Sequence, residues 1–503
     1  MGNKIVKKNV TFLSVMLLTI GSTVGAGIFF KNSEIASNTG SFAFSILAWV
    51  ISAFAILCIA LTLGDLIKNA KHNHLGYIGW IKTFCGTRLY KGFRNFMCYV
   101  FLPTNAFLIS FYALMSLQDA LSIFFENKIV LPWYIVIIIA FVFFTYFQIS
   151  AVANKRIGII NNNTLTFIKF IPILFVIIGG ITIYGITGHI AIDQKTDVAI
   201  QAASNSPVKL LNKLPYFGVI ASVPAIFFAF DGFYSTAGLF EDMNDPKKFS
   251  KALSIGIVII AFVYVLISLG VMVSSDDGTV IGFVSNFDKT MPGKIVGFII
   301  MFAIFLSVLS ILNGYAIYSG EFLFSLIKNN EFIFSKYIQK KINLFDSKKL
   351  SLFIYGIFFV IFVLCCTIGV FYFKDVYQGA YYDDQTCGIY QLCDLLSNWT
   401  ALISFFGIGL SLLGFMIKKY KSSIAFKIYA TIAIVMIGIS TIYELTNTFY
   451  YLSSCITFQE NNRSVSLDVY LIPIILKCVT LLAFVLIIIG PFLTINKKWK
   501  TKK

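Results

Sequence analysis

The sequence predicts an all-α polytopic membrane protein with about twelve transmembrane helices. Three observations predict it: 58% of the 503 residues are hydrophobic, only 13% are charged, and long apolar runs recur along the whole chain. Soluble proteins carry about 25% charged residues, and an apolar run of about 20 residues is long enough to cross a bilayer as a helix. One helical bundle can use the entire chain, so the length does not by itself indicate several domains.

Hydropathy places the spans, and the basic residues orient them. Of the 40 Lys and Arg residues, 29 lie in the termini and loops on the N-terminal side, 9 lie on the opposite side, and Lys169 and Lys477 lie inside spans. This asymmetry predicts a plasma-membrane protein with both termini in the cytoplasm. The expected spans are residues 11–31, 41–66, 93–118, 131–152, 163–186, 216–240, 252–274, 293–327, 350–373, 397–417, 424–447 and 468–493.

The net charge of +17 does not indicate a nucleic-acid partner. Basic loops that face an anionic leaflet account for it, so the bilayer is the expected partner of these charges. The amphipathic segment 74–86 is expected to lie at the cytoplasmic interface. The segment 374–396 is expected to be an outer loop, in which a Cys387–Cys393 disulfide is left open.

The first span carries three glycines in the run IGSTVGAGIFF, from Ile20 to Phe30. Each interior glycine costs about 1 kcal/mol of helix stability relative to alanine. A break here would free backbone N–H groups at membrane depth, and the N-terminus of the second half-helix would offer them to an anion. The run therefore predicts half of a carboxylate site, with close helix packing as the alternative because Gly21 and Gly25 are four residues apart.

The sixth span contains a second predicted break. Asp231 and Gly232 lie in mid-span, where a carboxylate costs about 2.5–3.5 kcal/mol unless it faces a cavity or a partner. Two breaks separated by five spans are typical of inverted-repeat transporters, because an odd number of spans reverses the orientation of the second unit. The expected organisation is one membrane domain, 1–495, with repeats 11–186 and 216–417, two additional helices in 424–493, and a basic cytoplasmic tail, 496–503.

Four motifs resemble those of the amino acid–polyamine–organocation permeases. They are GSTVGAGIF in span 1, NKRIGIINNNTLTFIKFIPILF leading into span 5, FFAFDGFYSTAGLFEDMNDPKK in span 6 and ILNGYAIYSGEFLFSLIKN in span 8. Their order and spacing agree across spans 1 to 8, although Glu321 stands where a basic residue is usual, and spans 9 to 12 match only in hydropathy. The resemblance implies a LeuT-like bundle of five plus five helices with broken helices 1 and 6, plus two further helices.

The resemblance also implies the substrate-binding residues. The substrate carboxylate would meet the backbone of Thr23–Gly27, and its ammonium group would meet carbonyls near Ile20 and in Phe228–Asp231. Phe228 looks like the gate that closes over the substrate from outside. The full set is Ile20, Thr23, Val24, Gly25, Ala26, Gly27, Phe228, Ala229, Phe230, Asp231 and Gly232.

Two charged residues have alternative interpretations. Asp231 indicates a cationic substrate side chain or a protonatable partner, unless it is a structural carboxylate. Lys169 lies where coupled relatives use an ammonium in place of a sodium ion, so it is a candidate coupling residue. The alternatives for Lys169 are snorkelling towards the cytoplasm and a structural bond to the carbonyls of a broken helix.

The expected function is secondary active transport of a cationic or neutral amino acid by alternating access. The sequence leaves open whether transport is proton symport or exchange. It also leaves open whether the protein is a monomer or a homodimer. No catalytic or metal-ligand cluster gathers at one depth and no nucleotide-binding loop is present, so an enzyme, a cofactor and a metal site are not expected. The alternatives are a polyamine or amine exchanger of the same superfamily and a transporter-like nutrient sensor.

Overall fold

The computed structural model describes residues 11–125, 130–153, 157, 161, 165, 168–192, 215–234, 243, 245, 248–287, 289–332, 335–341, 347–372, 382–420, 422–461 and 467–493, which form helices and no strand. In chain order the first helices are α1 (Phe12–Thr23), α2 (Ala26–Thr39), α3 (Phe42–Asn69), α4 (Tyr77–Phe84), α5 (Thr87–Phe96), α6 (Leu102–Phe124), α7 (Trp133–Ala153), α8 (Phe170–Thr187), α9 (Pro215–Ala221) and α10 (Val223–Ala229). They are followed by α11 (Phe249–Ser274), α12 (Val280–Val284), α13 (Met291–Lys328), α14 (Ser335–Lys341), α15 (Ser347–Tyr372), α16 (Asp384–Ile417), α17 (Ile424–Asn461) and α18 (Leu467–Leu493).

Among the described residues, nine helices are long and apolar enough to cross a membrane. The pair α1 and α2 forms a tenth candidate span, bent by 50° at its break. Two shorter apolar stretches, Phe217–Ala229 and Lys477–Pro491, lie where the sixth and twelfth spans are predicted. The described helices therefore form a multi-pass bundle, and they are compatible with twelve spans.

The break in the first span falls where the glycines predict it. Helix α1 ends at Thr23, Val24 is extended, and α2 begins at Ala26. A Cβ atom on Gly27 would lie 2.3 Å from the Cα atom of Ala229. Glycine is therefore required here by the close approach of α2 to α10. Of the two glycines for which packing is the predicted alternative, Gly25 also packs closely, because a Cβ atom there would lie 1.7 Å from the Cδ1 atom of Ile311.

The sixth span is also interrupted at its predicted position. Helix α10 ends at Ala229, and residues 230–234 form turns rather than a continuing helix. Gly232 has a φ of +104°, which side-chain-bearing residues rarely adopt, and a Cβ there would lie 2.8 Å from the carbonyl oxygen of Ser22. The two breaks are therefore in contact with each other.

Helix α4, in the segment expected at the cytoplasmic interface, packs against other parts of the protein. Its residues Tyr77, Trp80 and Phe84 are buried, so the protein covers it on most faces. Its polar residue Lys82 forms an ion pair with Glu331, 2.8 Å away, just beyond the end of α13. The amphipathic pattern arises because the apolar face packs on the bundle and Lys82 meets a carboxylate, not a lipid headgroup.

The tenth span is longer than hydropathy predicts. Helix α16 begins at Asp384, where the Asp383 side chain accepts a hydrogen bond from Thr386 N, so most of the expected loop 374–396 is helical. Cys387 and Cys393 are six residues apart in this helix, a rise of about 9 Å, which is too far for a disulfide. Neither cysteine is part of a disulfide. The predicted tail 496–503 lies outside the described residues.

Candidate functional site

The two helix breaks are joined by a tyrosine of α11. The hydroxyl group of Tyr264 lies 2.9 Å from the carbonyl oxygen of Thr23 and 2.9 Å from that of Ala229. Its single proton can serve one of these carbonyls at a time. Tyr264 is fully buried, and its ring packs against Phe230 and Trp49. This side chain fixes the distance between the end of α1 and the end of α10.

The side chain of Lys169 binds backbone carbonyl groups that the first break frees. Its Nζ atom donates to the carbonyl oxygen of Gly21 at 2.8 Å and to that of Val24 at 3.2 Å. Lys169 is 3% exposed and directly precedes α8. The ammonium group therefore points inward to the backbone of the broken helix, which distinguishes this arrangement from a snorkelling lysine.

The backbone of the first break offers donors to an anion. No side chain caps the N-terminus of α2, whose first residues are Ala26 and Gly27, and the first N–H groups of a helix have no partner within it. Some of the carbonyls expected for the substrate ammonium already accept hydrogen bonds. Ile20 O accepts from Val24 N at 2.9 Å and Phe228 O accepts from Asp231 N at 3.1 Å, although each oxygen keeps a second lone pair.

The Asp231 carboxylate is held by three donors. Oδ1 accepts from the Tyr234 hydroxyl at 2.5 Å and from Gly232 N at 3.0 Å, and Oδ2 accepts from the Tyr315 hydroxyl at 3.1 Å. Tyr315 belongs to α13, so the carboxylate ties the unwound part of the sixth span to the eighth span. This geometry matches the structural interpretation of Asp231.

A cavity of about 700 Å³ reaches the two breaks from one side. Gly21, Ser22 and Gly232 line its deep end, and Ser14 and Glu321 line it towards the N-terminal side of the bundle. A π-helical turn at Met97–Phe101 contributes two further lining residues, its first and its last. Such turns are frequent at functional sites. The cavity gives a small molecule a path to the breaks.

The opposite side of the breaks is closed. Phe228 is 8% exposed, and its ring centroid lies 6.1 Å from that of Tyr112, which stacks on Phe30 at 4.9 Å. The Lys31 ammonium lies 5.6 Å from the centroid of the Phe228 ring. An aromatic layer therefore separates the breaks from this side, with Phe228, the predicted gate, in it.

An ion-pair network lies beside this aromatic layer. The Nζ atom of Lys31, which is fully buried, lies 2.7 Å from Asp394 Oδ1 and 3.0 Å from Glu34 Oε2. The Tyr112 hydroxyl donates to the same Asp394 oxygen at 2.6 Å. The network joins α2 to α6 and α16 across the closed side.

The structure brings the predicted residues of the two breaks together. The sequence analysis did not indicate Tyr264, Lys31 or Asp394. The predicted first span ends at Lys31, which was assigned to the outer side, whereas α2 continues to Thr39 and buries this residue. The sequence feature that could have identified Lys31 is its position as a charged residue at the end of an apolar run. Within the described residues no group of three or more His, Cys, Asp or Glu residues could hold a metal ion.

Comparisons with known proteins agree on one class. A family model described as amino acid permease matches residues 10–463. An uncharacterised protein of Mycoplasma pneumoniae is 29% identical over 454 residues, covering 83% of this chain and 79% of its own. The serine/threonine exchanger SteT of Bacillus subtilis is 24% identical over 343 residues, covering 66% of this chain and 70% of its own.

A solved structure shares the fold. The crystal structure of MhsT in complex with L-phenylalanine aligns with a TM-score of 0.53 at 14% identity, covering 86% of this chain and 98% of that one. The predicted fold class, a LeuT-like helical bundle with broken helices 1 and 6, is confirmed. The likeness to MhsT bears on the fold alone.

Proposed function

Because the chain belongs to the amino acid permease family, we propose that it is a secondary active transporter that carries a neutral amino acid across the plasma membrane. The observation that carries this proposal is the pair of helix breaks in contact, reached by a cavity from one side and closed on the other. A site that communicates with one side at a time is what alternating access requires.

The bound amino acid lies with its carboxylate at the start of α2 and its ammonium group near the carbonyls of the sixth span. Uncapped N–H groups at a helix N-terminus suit a carboxylate because they combine donors with the positive end of the helix dipole. The residues concerned remain those named from the sequence, Ile20, Thr23–Gly27 and Phe228–Gly232. Phe228 acts as the gate on the closed side.

A neutral side chain fits the charges at the breaks better than a cationic one. The Asp231 carboxylate already accepts three hydrogen bonds, so its charge is stabilised without a substrate cation. The similarity to a serine/threonine exchanger supports the same class of substrate. A polyamine would lack the carboxylate that the start of α2 suits.

Lys169 supplies the positive charge at the first break, so we propose that transport needs no sodium ion. Its ammonium group bonds to Gly21 and Val24 carbonyls, and loss of its proton would weaken these hydrogen bonds because they would no longer be charge-assisted. Proton coupling follows if this weakening accompanies the change of access. With the termini in the cytoplasm, the cavity faces the cytoplasm.

Transport by the purified chain in liposomes tests the function. We expect saturable uptake of one or a few neutral amino acids, without sodium, and faster uptake when the same amino acid is present on the other side. Binding without flux would instead identify a sensor, and uptake of polyamines without amino acids would identify an amine exchanger.

The pH dependence of two lysine variants tests the coupling. Lys169→Ala is expected to abolish the pH dependence of uptake or exchange, because no other charge touches these carbonyls in the described part of the chain. Lys477→Gln is the matched control, since Lys477 also lies in a span but pairs with Glu444 at 2.7 Å. Uptake by Lys169→Ala with the wild-type pH profile would refute the coupling role.

A further inference from the structure

A second cavity lies on the outer surface of the bundle, away from the helix breaks. This groove has a volume of about 500 Å³ and runs between α3 and α11. Its lining residues are Leu57, Leu61, Ser250, Lys251, Ser254, Ile255 and Val258. The apolar members lie deeper in the membrane, whereas Ser250 and Lys251 lie in the first turn of α11, at the N-terminal side of the bundle.

Close packing of the two helices shapes the polar end of the groove. A Cβ atom on Gly64 of α3 would lie 2.4 Å from the Cβ atom of Ser250, so the helices touch at this level. Beyond this contact, Leu61, Ile255 and Val258 remain 36%, 36% and 49% exposed along the groove. An extended hydrocarbon chain fits such a surface because it faces the bilayer and contains no charge.

The polar end of the groove favours an anion. No side chain caps the N-terminus of α11, so the positive end of its helix dipole is not offset by a capping side chain and attracts a negative charge. Ser254 lines the groove and is 8% exposed, yet its hydroxyl oxygen has no hydrogen-bond partner among the described residues. A buried hydroxyl without a partner is costly, which indicates a polar ligand.

The charged side chains around the polar end of the groove also favour an anion. Asp245 pairs with Lys248 at 3.4 Å, and Asp65 pairs with Lys68 at 3.7 Å. Lys251 has no carboxylate partner within the described ranges. Among the described residues, one positive charge therefore has no carboxylate partner beside the start of α11.

We propose that this groove binds an anionic glycerophospholipid, with its phosphate at Lys251 and the first turn of α11 and one acyl chain along Leu57, Leu61 and Val258. The bound lipid would affect the transport machinery through α11, because Gly256 of this helix packs on Thr19 of α1, 3.2 Å from the position of a Cβ atom. The site is independent of which substrate the protein carries.

Native mass spectrometry of the purified full chain tests the site. The protein is equilibrated with equal amounts of phosphatidylglycerol and phosphatidylcholine that carry the same acyl chains. Wild type is expected to retain phosphatidylglycerol in preference, and Lys251→Gln is expected to reduce the retained phosphatidylglycerol at least fivefold. Lys427→Gln is the matched control, because Lys427 is an exposed lysine in the first turn of α17 on the same side but outside the groove.

A second variant separates the groove from surface charge. Val258→Phe fills the apolar part without changing any charge, and it is also expected to reduce phosphatidylglycerol retention several-fold. If Lys251→Gln does not yield folded protein by size-exclusion chromatography, the test of the lipid site rests on Val258→Phe. The proposal is overturned if wild type retains both lipids equally, if Lys427→Gln has the same effect as Lys251→Gln, or if Val258→Phe retains phosphatidylglycerol as wild type does.

Discussion

At the scale of single residues, two buried charges beside the helix breaks are stabilised in different ways. Lys169 is met by backbone carbonyls of the first break, whereas Asp231 is met by tyrosine hydroxyls and one backbone N–H group. Isolated buried charges are unfavourable unless hydrogen bonds stabilise them. Nearby groups of the protein therefore stabilise each charge, and neither charge needs a substrate group as its partner.

Replacing Asp231 distinguishes a positioning role from a selectivity role. Asp231→Asn is expected to slow uptake of every substrate by a similar factor, because the loss of charge-assisted hydrogen bonds worth about 1–3 kcal/mol loosens the link between the sixth and eighth spans. This corresponds to roughly 5- to 160-fold in rate. Initial rates for a panel of neutral and cationic amino acids measure it.

Two tyrosine variants control this experiment. Tyr315→Phe removes one donor to Asp231 and is expected to have a smaller effect in the same direction. Tyr318→Phe removes a hydroxyl from the same cavity wall and is expected to leave the rate near that of wild type. A loss confined to lysine and arginine uptake in Asp231→Asn would show a selectivity role instead.

Glu331, which lies beyond the end of α13, links this end to α4 and α5. Its carboxylate accepts hydrogen bonds from Lys82 and from the Tyr90 hydroxyl. Partial burial acts to raise the pKa of Glu331, but these hydrogen bonds and the charges of Lys82 and Arg94 outweigh it and lower the pKa. The ionised form is thus favoured by the fold.

The lowered pKa of Glu331 predicts how stability depends on pH. Its contribution to the free energy of unfolding is fully present above the ordinary glutamate pKa, about 4.3, and is lost as the pH falls through the lower folded-state pKa. The difference in melting temperature between wild type and Glu331→Gln is therefore expected to be constant near neutral pH and to shrink below about pH 4. A difference that does not change with pH would contradict this assignment.

At the scale of elements, glycines decide how closely the broken helices approach. Gly27 on α2 faces the backbone of α10, whereas Gly438 on α17 has no neighbour within 4 Å of the place where a Cβ atom would lie. Glycine is therefore required for close packing at Gly27, whereas no close contact requires it at Gly438. Sequence composition cannot separate these cases, because the difference lies in the partner helix.

Alanine substitutions at these two glycines test the packing. Gly27→Ala is expected to destabilise the protein by about 1–3 kcal/mol, because the methyl group meets backbone that cannot move aside, and to reduce transport. Gly438→Ala is expected to be neutral or to stabilise by up to about 1 kcal/mol, since alanine favours the helix. Thermal unfolding in detergent measures both, and equal effects would contradict the close contact.

At the scale of the whole molecule, closure of one side depends on charges from distant parts of the chain. Lys31 and Asp394 are 363 residues apart in sequence, and they meet where α2 and α16 pack beside the Phe228 layer. We expect that this side can open only when the pair separates. The ion pair therefore couples the first broken span to the tenth span.

Removing one charge of this pair is expected to open the closed side. Asp394→Asn leaves Lys31 buried with one carboxylate, and breaking a buried pair costs about 3–5 kcal/mol. Labelling of the neighbouring Cys393, which is fully buried, by a membrane-impermeant thiol reagent should rise about tenfold or more. Peptide mass spectrometry identifies the labelled residue.

A second ion pair provides the control for this experiment. Glu444→Gln disrupts the Lys477–Glu444 pair between α17 and α18, which lies apart from the Phe228 layer, and should leave Cys393 labelling unchanged. Unchanged labelling in Asp394→Asn, or equal increases in both variants, would show that the Lys31 network does not hold this side closed.

The sequence by itself determined the membrane class, the order of the spans and the positions of both helix breaks. These properties are local: hydropathy acts over about 20 residues, and Gly25 and Gly232 lie at the breaks themselves. The tertiary structure decided which side chains contact the two breaks. The bridge by Tyr264, the capture of Lys169 by carbonyls and the Lys31–Asp394 pair each join residues far apart in the chain, and a side chain's partner depends on helix packing that no local pattern records.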